Sequence, residues 1–171
     1  MTLYLLDTDV VSNFRRSRPS QHLLDWARSL DAEELQISVM TVFEIQVGAE
    51  IVARQDRDYA RRLSAWLDTF VLSGRFGIVL PDVTVMRVYA RMFADPAMKG
   101  FVFPDARSKW PKSGADLILA ATAIQHGLVI ATGNVEHFRR IHARYRLPGR
   151  YDPLRHEWTV ENNPSHSPLM S

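Results

Sequence analysis

Three carboxylates in this sequence have the type and the surroundings that a metal-dependent hydrolytic site requires. Asp7 follows the apolar run Leu3–Leu6, with Asp9 close behind it. Glu44 and Asp116 each lie in a largely apolar segment at the predicted start of a helix. Acids that meet in a half-buried cleft repel one another and lose hydration, which raises their pKa values unless a cation neutralises them. We therefore expect a hard divalent cation, Mg²⁺ or Mn²⁺, which in such sites usually also binds phosphate.

The elements around these acids are expected to bring them to one edge of a parallel sheet. Strands are predicted at residues 3–6, 35–39, 78–80 and 128–132, and helices at 8–15, from 19 onward, and at 41–53, 57–72, 82–94, 114–125 and 135–141. Strands separated by helices imply right-handed crossovers and a mainly parallel sheet, so the fold class is α/β. In such sheets ligands bind outside the carboxyl ends of the strands. Asn134, with Glu136 and His137 nearby, follows the last predicted strand and joins the same edge.

Both helix-borne acids also fit a purely structural alternative. Thr41-x-x-Glu44 and Ser113-x-x-Asp116 match the capping box, in which an acid in the first turn bonds back to the amide of the N-cap residue. The apolar residues that follow Asp116 favour a central helix whose acid lies close to the sheet edge. The sequence leaves both roles open for each acid.

Length and composition bound the class of protein. With 171 residues the chain forms one domain by length, and its lack of Cys fits a reducing compartment. The N-terminus lacks a basic segment and its apolar run is broken by Asp7, so we expect neither a signal peptide nor a membrane span, and a cytoplasmic location. Of the 21 cations, 18 are Arg, and they cluster at residues 15–18, 54–62 and 139–150. The clusters indicate either a polyanionic partner such as RNA or simply a solvated basic surface.

Several other kinds of site are disfavoured by motif. The six His residues form no HExxH pattern and Cys is absent, so Zn²⁺ is a poorer match than Mg²⁺ or Mn²⁺. The chain has no GxGxxG after a strand, no P-loop and no GxSxG elbow, which argues against dinucleotide binding and a serine nucleophile.

Four weak motifs in series resemble those of a known family. They are Leu5-Leu-Asp-Thr-Asp-Val-Val-Ser12, Ser38-x-x-Thr-x-x-Glu-x-x-x-Gly48, Asp116-Leu-Ile-Leu-Ala-Ala-Thr-Ala123 and Ile130-Ala-Thr-Gly-Asn-x-x-His-Phe138. In this order and spacing they resemble the PIN domain, and most closely the ribonuclease toxins of bacterial type II toxin–antitoxin modules, the VapC family with its FitB-like branch. The resemblance runs from about residue 3 to residue 155.

This resemblance implies a three-layer α/β/α PIN-like fold and Mg²⁺- or Mn²⁺-dependent endoribonuclease activity, commonly on structured RNA such as tRNA. It also implies a homodimer and neutralisation by a small cognate antitoxin, with which the toxin can form a larger hetero-oligomer. The mechanism to be expected is metal-assisted hydrolysis of a phosphodiester bond.

The resemblance implies a role for each residue that stands at a matching position of these motifs. Asp7, Glu44 and Asp116 correspond to the core acids that bind metal and act in catalysis, and Asn134 is the fourth catalytic position. The family often has an acid at Asn134 or three residues later, where this chain has His137; Asn134 could hold a water there, or Glu136 could substitute. The hydroxyl residues Thr8, Thr41 and Thr132 match positions that orient carboxylates or water, and Asp9 is expected to orient the site.

Two segments fall outside these motifs. Residues 95–113 hold Phe101, Phe103 and Trp110, which either contact unstacked bases or pack under the loop or at a dimer interface. We predict a PIN domain over residues 1–155 and a poorly ordered C-terminal tail over residues 156–171.

Two other functions remain open. A haloacid-dehalogenase-type phosphatase also begins with a strand and Asp-x-Asp, as in Asp7-Thr8-Asp9, but it needs a later Lys and a second acidic pair after a strand, and the sequence offers no such pair. A non-catalytic PIN-like RNA-binding module is the other alternative, motivated by the missing fourth acid.

Overall fold

Within the residues that the structure describes, six short strands form one central sheet. The computed structural model describes residues 1–103 and 114–160. The strands are β1 (Tyr4–Leu6), β2 (Leu35–Ser38), β3 (Gly77–Val79), β4 (Val129–Ala131), β5 (Gly149–Asp152) and β6 (Glu157–Val160). Their order across the sheet is β3-β2-β1-β4-β5-β6, and all neighbours are parallel except β5 and β6. The first strand therefore lies in the middle, with β2 and β4 on either side of it.

Helices connect the parallel strands. They are α1 (Thr8–Phe14), α2 (Gln21–Arg28), α3 (Val39–Val52), α4 (Arg57–Leu72), α5 (Val83–Ala94), α6 (Lys99–Val102), α7 (Ala115–His126) and α8 (Val135–Arg144). Short 3-10 turns cover Ala32–Glu34 and Pro96–Met98. Gly127 ends α7 with φ 65°, in the left-handed region where glycine carries no steric penalty. In residues 1–103 and 114–160, no helix is long and apolar enough to cross a membrane.

Two hydrophobic cores lie on opposite faces of the sheet. Successive side chains of a strand point to opposite faces, so Leu5 of β1 joins a core with α5, α7 and α8, whereas Tyr4 and Leu6 join a core with α1 to α4. All three side chains are buried. The run Leu3–Leu6 is continuously apolar because its strand is covered on both faces. The predicted three-layer α/β/α class is confirmed.

The end of the domain differs from the prediction. Residues 149–152 and 157–160 form β5 and β6, two strands that the apolar pattern did not predict. They pair antiparallel, with Asp152 opposite Glu157, and the Trp158 ring lies 5.2 Å from that of Tyr151. The folded domain thus runs past the predicted boundary at residue 155, because these contacts hold residues 157–160 in the sheet. The rest of the predicted tail, residues 161–171, lies outside the described residues.

The described part of the predicted loop at residues 95–113 is largely helical. A 3-10 turn and α6 occupy residues 96–102. Phe101 is buried in the core beside α7 and α8, whereas Phe103 is 54% exposed. Phe101 therefore packs under the segment, as one of the two alternatives proposed. Residues 104–113, including Trp110, lie outside the described part of the chain.

Candidate active site

The register of β1 and β4 brings Asp7 and Thr132 together. Leu6 pairs with Ala131, and the Asp7 amide donates to the Ala131 carbonyl at 3.0 Å, so the next residue of each strand lies at the same carboxyl edge. Thr132 Oγ1 donates to Asp7 Oδ2 at 2.8 Å, and the Thr8 amide donates to Asp7 Oδ1 at 2.7 Å. Asp7 is thereby the N-cap of α1 and is only 4% exposed. Both of its oxygens are held in fixed positions.

Negative charge is concentrated around Asp7. Burial raises the pKa of Asp7 well above its ordinary value, and the charges of Asp9 and Asp116 raise it further; the hydrogen bonds from Thr132 and Thr8 lower it but do not compensate. Burial likewise raises the pKa of Asp9, with a smaller contribution from the neighbouring acids. Asp9 Oδ2 accepts from the Gly133 amide at 2.9 Å, while Asp9 Oδ1 is buried and has no hydrogen-bond partner among the described residues. The edge carries more negative charge than its protein donors neutralise.

Glu44 reaches this edge from the second turn of α3. The helix begins at Val39, and the Ser38 hydroxyl caps it by accepting from the Met40 amide at 3.1 Å. The capping-box alternative for Glu44 is therefore wrong, because the N-cap lies earlier than Thr41. Glu44 Oε2 instead accepts from Thr8 Oγ1 at 2.6 Å.

Thr8 and Thr41 connect the helices to the end of β1. Thr8 uses its amide for Asp7 and its hydroxyl for Glu44, so a single residue bridges two of the predicted acids. Thr41 Oγ1 donates to the Leu6 carbonyl at 3.3 Å and is 1% exposed, which ties the start of α3 to the strand. Thr8 thus contacts two of the predicted acids directly, whereas Thr41 contacts the backbone of β1 and no carboxylate.

Asp116 meets His137 at the same edge. Gly114, with φ 67°, precedes α7, and Asp116 lies in its first turn. Its Oδ2 lies 2.7 Å from His137 Nδ1 on α8. The capping-box alternative for Asp116 depends on Ser113, which lies outside the described residues. His137 is thus a direct partner of one of the three predicted acids.

Asn134 and Glu136 have different hydrogen-bond partners. The backbone amide of Asn134 donates to Thr132 Oγ1 at 2.9 Å, so the backbone of Asn134 belongs to the same hydrogen-bonded group as Asp7. Glu136 is solvent-exposed and binds Arg139 through both carboxylate oxygens, at 3.0 and 2.8 Å; the hydrogen bond from Arg139 lowers the pKa of Glu136. Glu136 is therefore held by a surface ion pair, which weakens its candidacy as a fourth ligand.

One acid at this edge was missed by the sequence reasoning. Asp152 ends β5, is 1% exposed, and accepts from the Leu154 amide at 2.9 Å. Its charge contributes to the raised pKa of Asp9. The signal was present, since Asp152 is an acid at the carboxyl end of its strand, but Arg150 interrupts the apolar pattern by which the strand would have been recognised.

The arginines at residues 139–150 do not form one continuous exposed surface. Arg150 is 2% exposed and donates to the Val135 carbonyl, so it is a buried structural cation. Arg139 pairs with Glu136, and Arg144 Nε lies 2.9 Å from Asp95 Oδ2. The predicted contact of this cluster with a polyanionic partner such as RNA is therefore limited to some of its members, because Arg139, Arg144 and Arg150 are engaged by the protein.

An open cleft of about 320 Å³ lies beside these acids. Its lining includes Glu44, Asp116, His137, Phe43, Val47, Phe101 and Arg140. Buried Asp7 is not part of the lining. The cleft therefore offers two of the carboxylates, together with aromatic and cationic side chains, to a ligand from solvent.

The donor set fits a hard divalent cation. In the present arrangement, no group of three His, Asp or Glu side chains within residues 1–103 and 114–160 is arranged to hold a metal ion. Glu44 and Asp116 instead contact Thr8 and His137. The chemistry nevertheless matches, because carboxylate oxygens suit Mg²⁺ or Mn²⁺ and the raised pKa of Asp7 reflects charge that a cation would neutralise.

Comparison with known proteins gives the family. The PIN domain model matches residues 4–143. The VapC ribonuclease Y4jK of Sinorhizobium fredii is 31% identical over 138 residues, which cover 80% of this chain and 90% of that protein. Toxin FitB of Neisseria gonorrhoeae is 29% identical over 137 residues, covering 80% and 91%. The crystal structure of FitAcB from N. gonorrhoeae superposes with a TM-score of 0.62 at 25% identity, over 88% of this chain and 98% of that one. The chain therefore belongs to the PIN domain family, among VapC-type relatives.

Proposed function

We propose that this protein is a Mg²⁺- or Mn²⁺-dependent endoribonuclease and the toxin of a toxin–antitoxin module. One observation carries the proposal: Asp7, Glu44 and Asp116 come from three distant segments to one sheet edge, where Thr8 links Asp7 to Glu44 and the charge of Asp116 helps to raise the pKa of the buried Asp7. The relative named VapC ribonuclease supports RNA as the substrate, and the relative named Toxin FitB supports the biological role.

Each side chain has a distinct task in this proposal. A bound divalent cation supplies Lewis-acid activation of water and of the scissile phosphate. Asp7, fixed by Thr8 and Thr132, and Asp116 would hold the cation, and Glu44 would hold it or orient the attacking water. When the cation binds, Glu44 and Asp116 would give up part of their present contacts with Thr8 and His137. Thr8 and His137 would then orient the carboxylates that bind the cation. The Asn134 side chain would orient a water, since its backbone amide already bonds to Thr132.

The phosphatase alternative is disfavoured by the environment of Asp7. A nucleophilic carboxylate needs access to the phosphorus atom of its substrate. Asp7 is 4% exposed, and both of its oxygens accept hydrogen bonds from within the protein. These contacts support a ligand held in a fixed orientation and oppose a nucleophile that attacks substrate in the cleft.

The central experiment is RNA cleavage by the purified protein with Mg²⁺, Mn²⁺ or excess chelator, using a tRNA pool. We expect cleavage only with metal, and its loss in Asp7→Asn, Glu44→Gln and Asp116→Asn. Asp58→Asn is the matched control, since Asp58 is an exposed partner of Arg61. Full activity of Asp7→Asn or Asp116→Asn, or equal activity in chelator, would refute the proposal.

The same variants separate the enzyme from a non-catalytic binding module. Calorimetric titration of Mn²⁺ into the wild type and Asp116→Asn tests whether these acids bind metal at all. A module without catalysis would bind RNA equally well in both proteins, with or without metal, and would leave the RNA intact.

The toxin role has its own test in cells. Induced expression should arrest growth, and either Asp7→Asn or co-expression of a small adjacent gene product should relieve the arrest. The solved relatives titled FitAcB and FitAB bound to a DNA fragment motivate the search for such a partner. Continued growth with wild-type expression at normal protein level would argue against the toxin role and leave the nuclease test unaffected.

A homodimer also forms part of the proposal. Val83, Met86 and Phe93 occupy positions i, i+3 and i+10 of α5 and are 75%, 43% and 45% exposed. An apolar stripe of this kind on an otherwise packed helix is typical of a protein contact. Met86→Glu should convert the dimer to a monomer in light scattering, whereas Arg87→Glu on the same helix should not. A wild-type monomer at high concentration would refute the dimer.

A further inference from the structure

The cleft beside the acids contains an arginine that no described carboxylate pairs with. Arg139 and Arg144 on α8 each contact an acid, Glu136 and Asp95 respectively. Arg140 has no carboxylate within ion-pair distance among residues 1–103 and 114–160; its guanidinium lies 4.8 Å from the centroid of the Phe101 ring. A guanidinium supported on an aromatic face keeps its hydrogen-bond donors available for an anion.

The position of Arg140 relates it to the catalytic group. It lies three residues after His137 on α8, so both side chains occupy the same face of the helix, about 4.5 Å apart along its axis. His137 contacts Asp116, and all three side chains line the cleft. Arg140 is therefore one helical turn away from His137, the partner of Asp116, and is placed to bind a phosphate next to the one at the reaction site.

An exposed aromatic ring faces the same cleft. Phe43 precedes Glu44 on α3, lines the cleft and is 50% exposed. Val47, one turn later and also in the lining, is 37% exposed. Aromatic rings stack on nucleic-acid bases, which offer their faces only when they are unpaired and unstacked. The cleft thus combines a flat apolar surface, an available cation and the proposed catalytic acids.

We propose that Phe43 and Arg140 form a substrate subsite next to the scissile phosphate. Phe43 stacks on one unpaired base, and Arg140 binds a phosphate adjacent to the bond that is cleaved. The inference rests on the proposed nuclease function and extends it to a substrate class: RNA whose target segment is single-stranded when it is bound. Duplex RNA fails to enter, because its bases are stacked inside the helix.

The test measures RNA binding without cleavage. Fluorescence anisotropy in excess chelator compares a labelled unstructured RNA oligonucleotide with a hairpin duplex of the same composition, using the full chain. We expect tighter binding of the single strand by the wild type. Phe43→Ala should weaken that binding by about 5- to 150-fold, the range of one base–aromatic stack, and Phe43→Trp should restore it.

Arg140 is tested by salt dependence. Arg140→Ala should weaken binding and reduce the slope of log affinity against log salt by about one phosphate contact. Arg139→Ala, which removes a neighbouring exposed arginine that pairs with Glu136, should leave the single-strand preference unchanged. Circular dichroism establishes that each variant is folded, and light scattering reports its oligomeric state.

The outcomes distinguish this inference from the nuclease proposal. Metal-dependent cleavage by a wild type whose binding is unaffected by Phe43→Ala and Arg140→Ala would overturn the subsite and retain the nuclease. A change of oligomeric state in Phe43→Ala, with unchanged RNA affinity, would assign Phe43 to a subunit interface and overturn the subsite. Absence of RNA binding and cleavage by the wild type would overturn both.

Discussion

Replacing Asp7 with Asn should stabilise the metal-free protein while it abolishes cleavage. The buried Asp7 carboxylate has a pKa raised by burial and by Asp9 and Asp116, so its ionised form is unfavourable in the folded state. Asn keeps an oxygen that can accept from the Thr8 amide and has nearly the same volume. It removes the charge and preserves most of the cap of α1.

The sign of the pH dependence follows from the raised pKa. Because the folded protein binds the Asp7 proton more tightly than the unfolded chain, the stabilisation is fully present below the unfolded pKa of about 3.9. It is lost as the pH rises through the raised folded pKa. Burying a polar group whose interactions are not compensated typically costs about 1–3 kcal/mol. Relief of a cost of that order in Asp7→Asn at pH 7.5 would raise Tm by about 2–4 °C per kcal/mol in a chain of this size.

Differential scanning fluorimetry between pH 4 and pH 8, in chelator and in Mn²⁺, measures this effect. In chelator, the Tm of the wild type should fall more steeply with rising pH than that of Asp7→Asn. Mn²⁺ should raise the Tm of the wild type but not that of Asp7→Asn. Asp58→Asn, at an exposed site, should change stability by less than about 1 kcal/mol. A lower Tm for Asp7→Asn than for the wild type in chelator at pH 7.5 would show that the charge at residue 7 is already compensated and would refute the reasoning.

Three further substitutions test the neighbours of this carboxylate. Thr8→Val keeps the hydrogen bond from the backbone amide of residue 8 to the Asp7 carboxylate but removes the hydroxyl that donates to Glu44. It should lower Mn²⁺ affinity about 10- to 100-fold in calorimetry with little change in Tm. Thr132→Val deletes a buried hydrogen bond to Asp7 and should lower the unfolding free energy by about 1.5–3 kcal/mol in urea, whereas Thr132→Ser should recover most of it. Gly133→Ala introduces a Cβ 2.9 Å from a carboxylate oxygen and from a leucine methyl group, and should cost about 1–3 kcal/mol in the same assay; an unchanged midpoint would mean that the neighbours move aside.

The sheet edge could be predicted because its two signals are local. The run before Asp7 is apolar on both faces of β1, and an acid directly after such a strand lies at its carboxyl end. The Ala-rich helix α7, buried along most of its length, likewise indicated that Asp116 lies near the centre of the fold. These inferences needed only strand direction and residue type.

The remaining features depend on tertiary packing. The start of α3 was predicted too late because Val39 and Met40 suit a strand as well as a helix, and the Ser38 cap decides between them. The contact between Asp116 and His137 spans 21 residues and is fixed by how α7 packs on α8. The strand β5 was missed because Arg150 is buried through a hydrogen bond to a carbonyl, an arrangement that residue type alone does not predict.

The hydrogen bond between Asp7 and Thr132 joins residues 125 positions apart, and this separation has a consequence for the timing of activity. Bacterial and other ribosomes extend a chain by about 5–20 residues per second, so the first acid is made several seconds before its partner. Until β4 has left the ribosome and inserted beside β1, the Asp7 carboxylate lacks both the hydroxyl that orients it and the Asp116 side chain. The candidate site is therefore assembled only after β4 has been made and has paired with β1, so cleavage under the proposed function would begin late in the synthesis and folding of the domain.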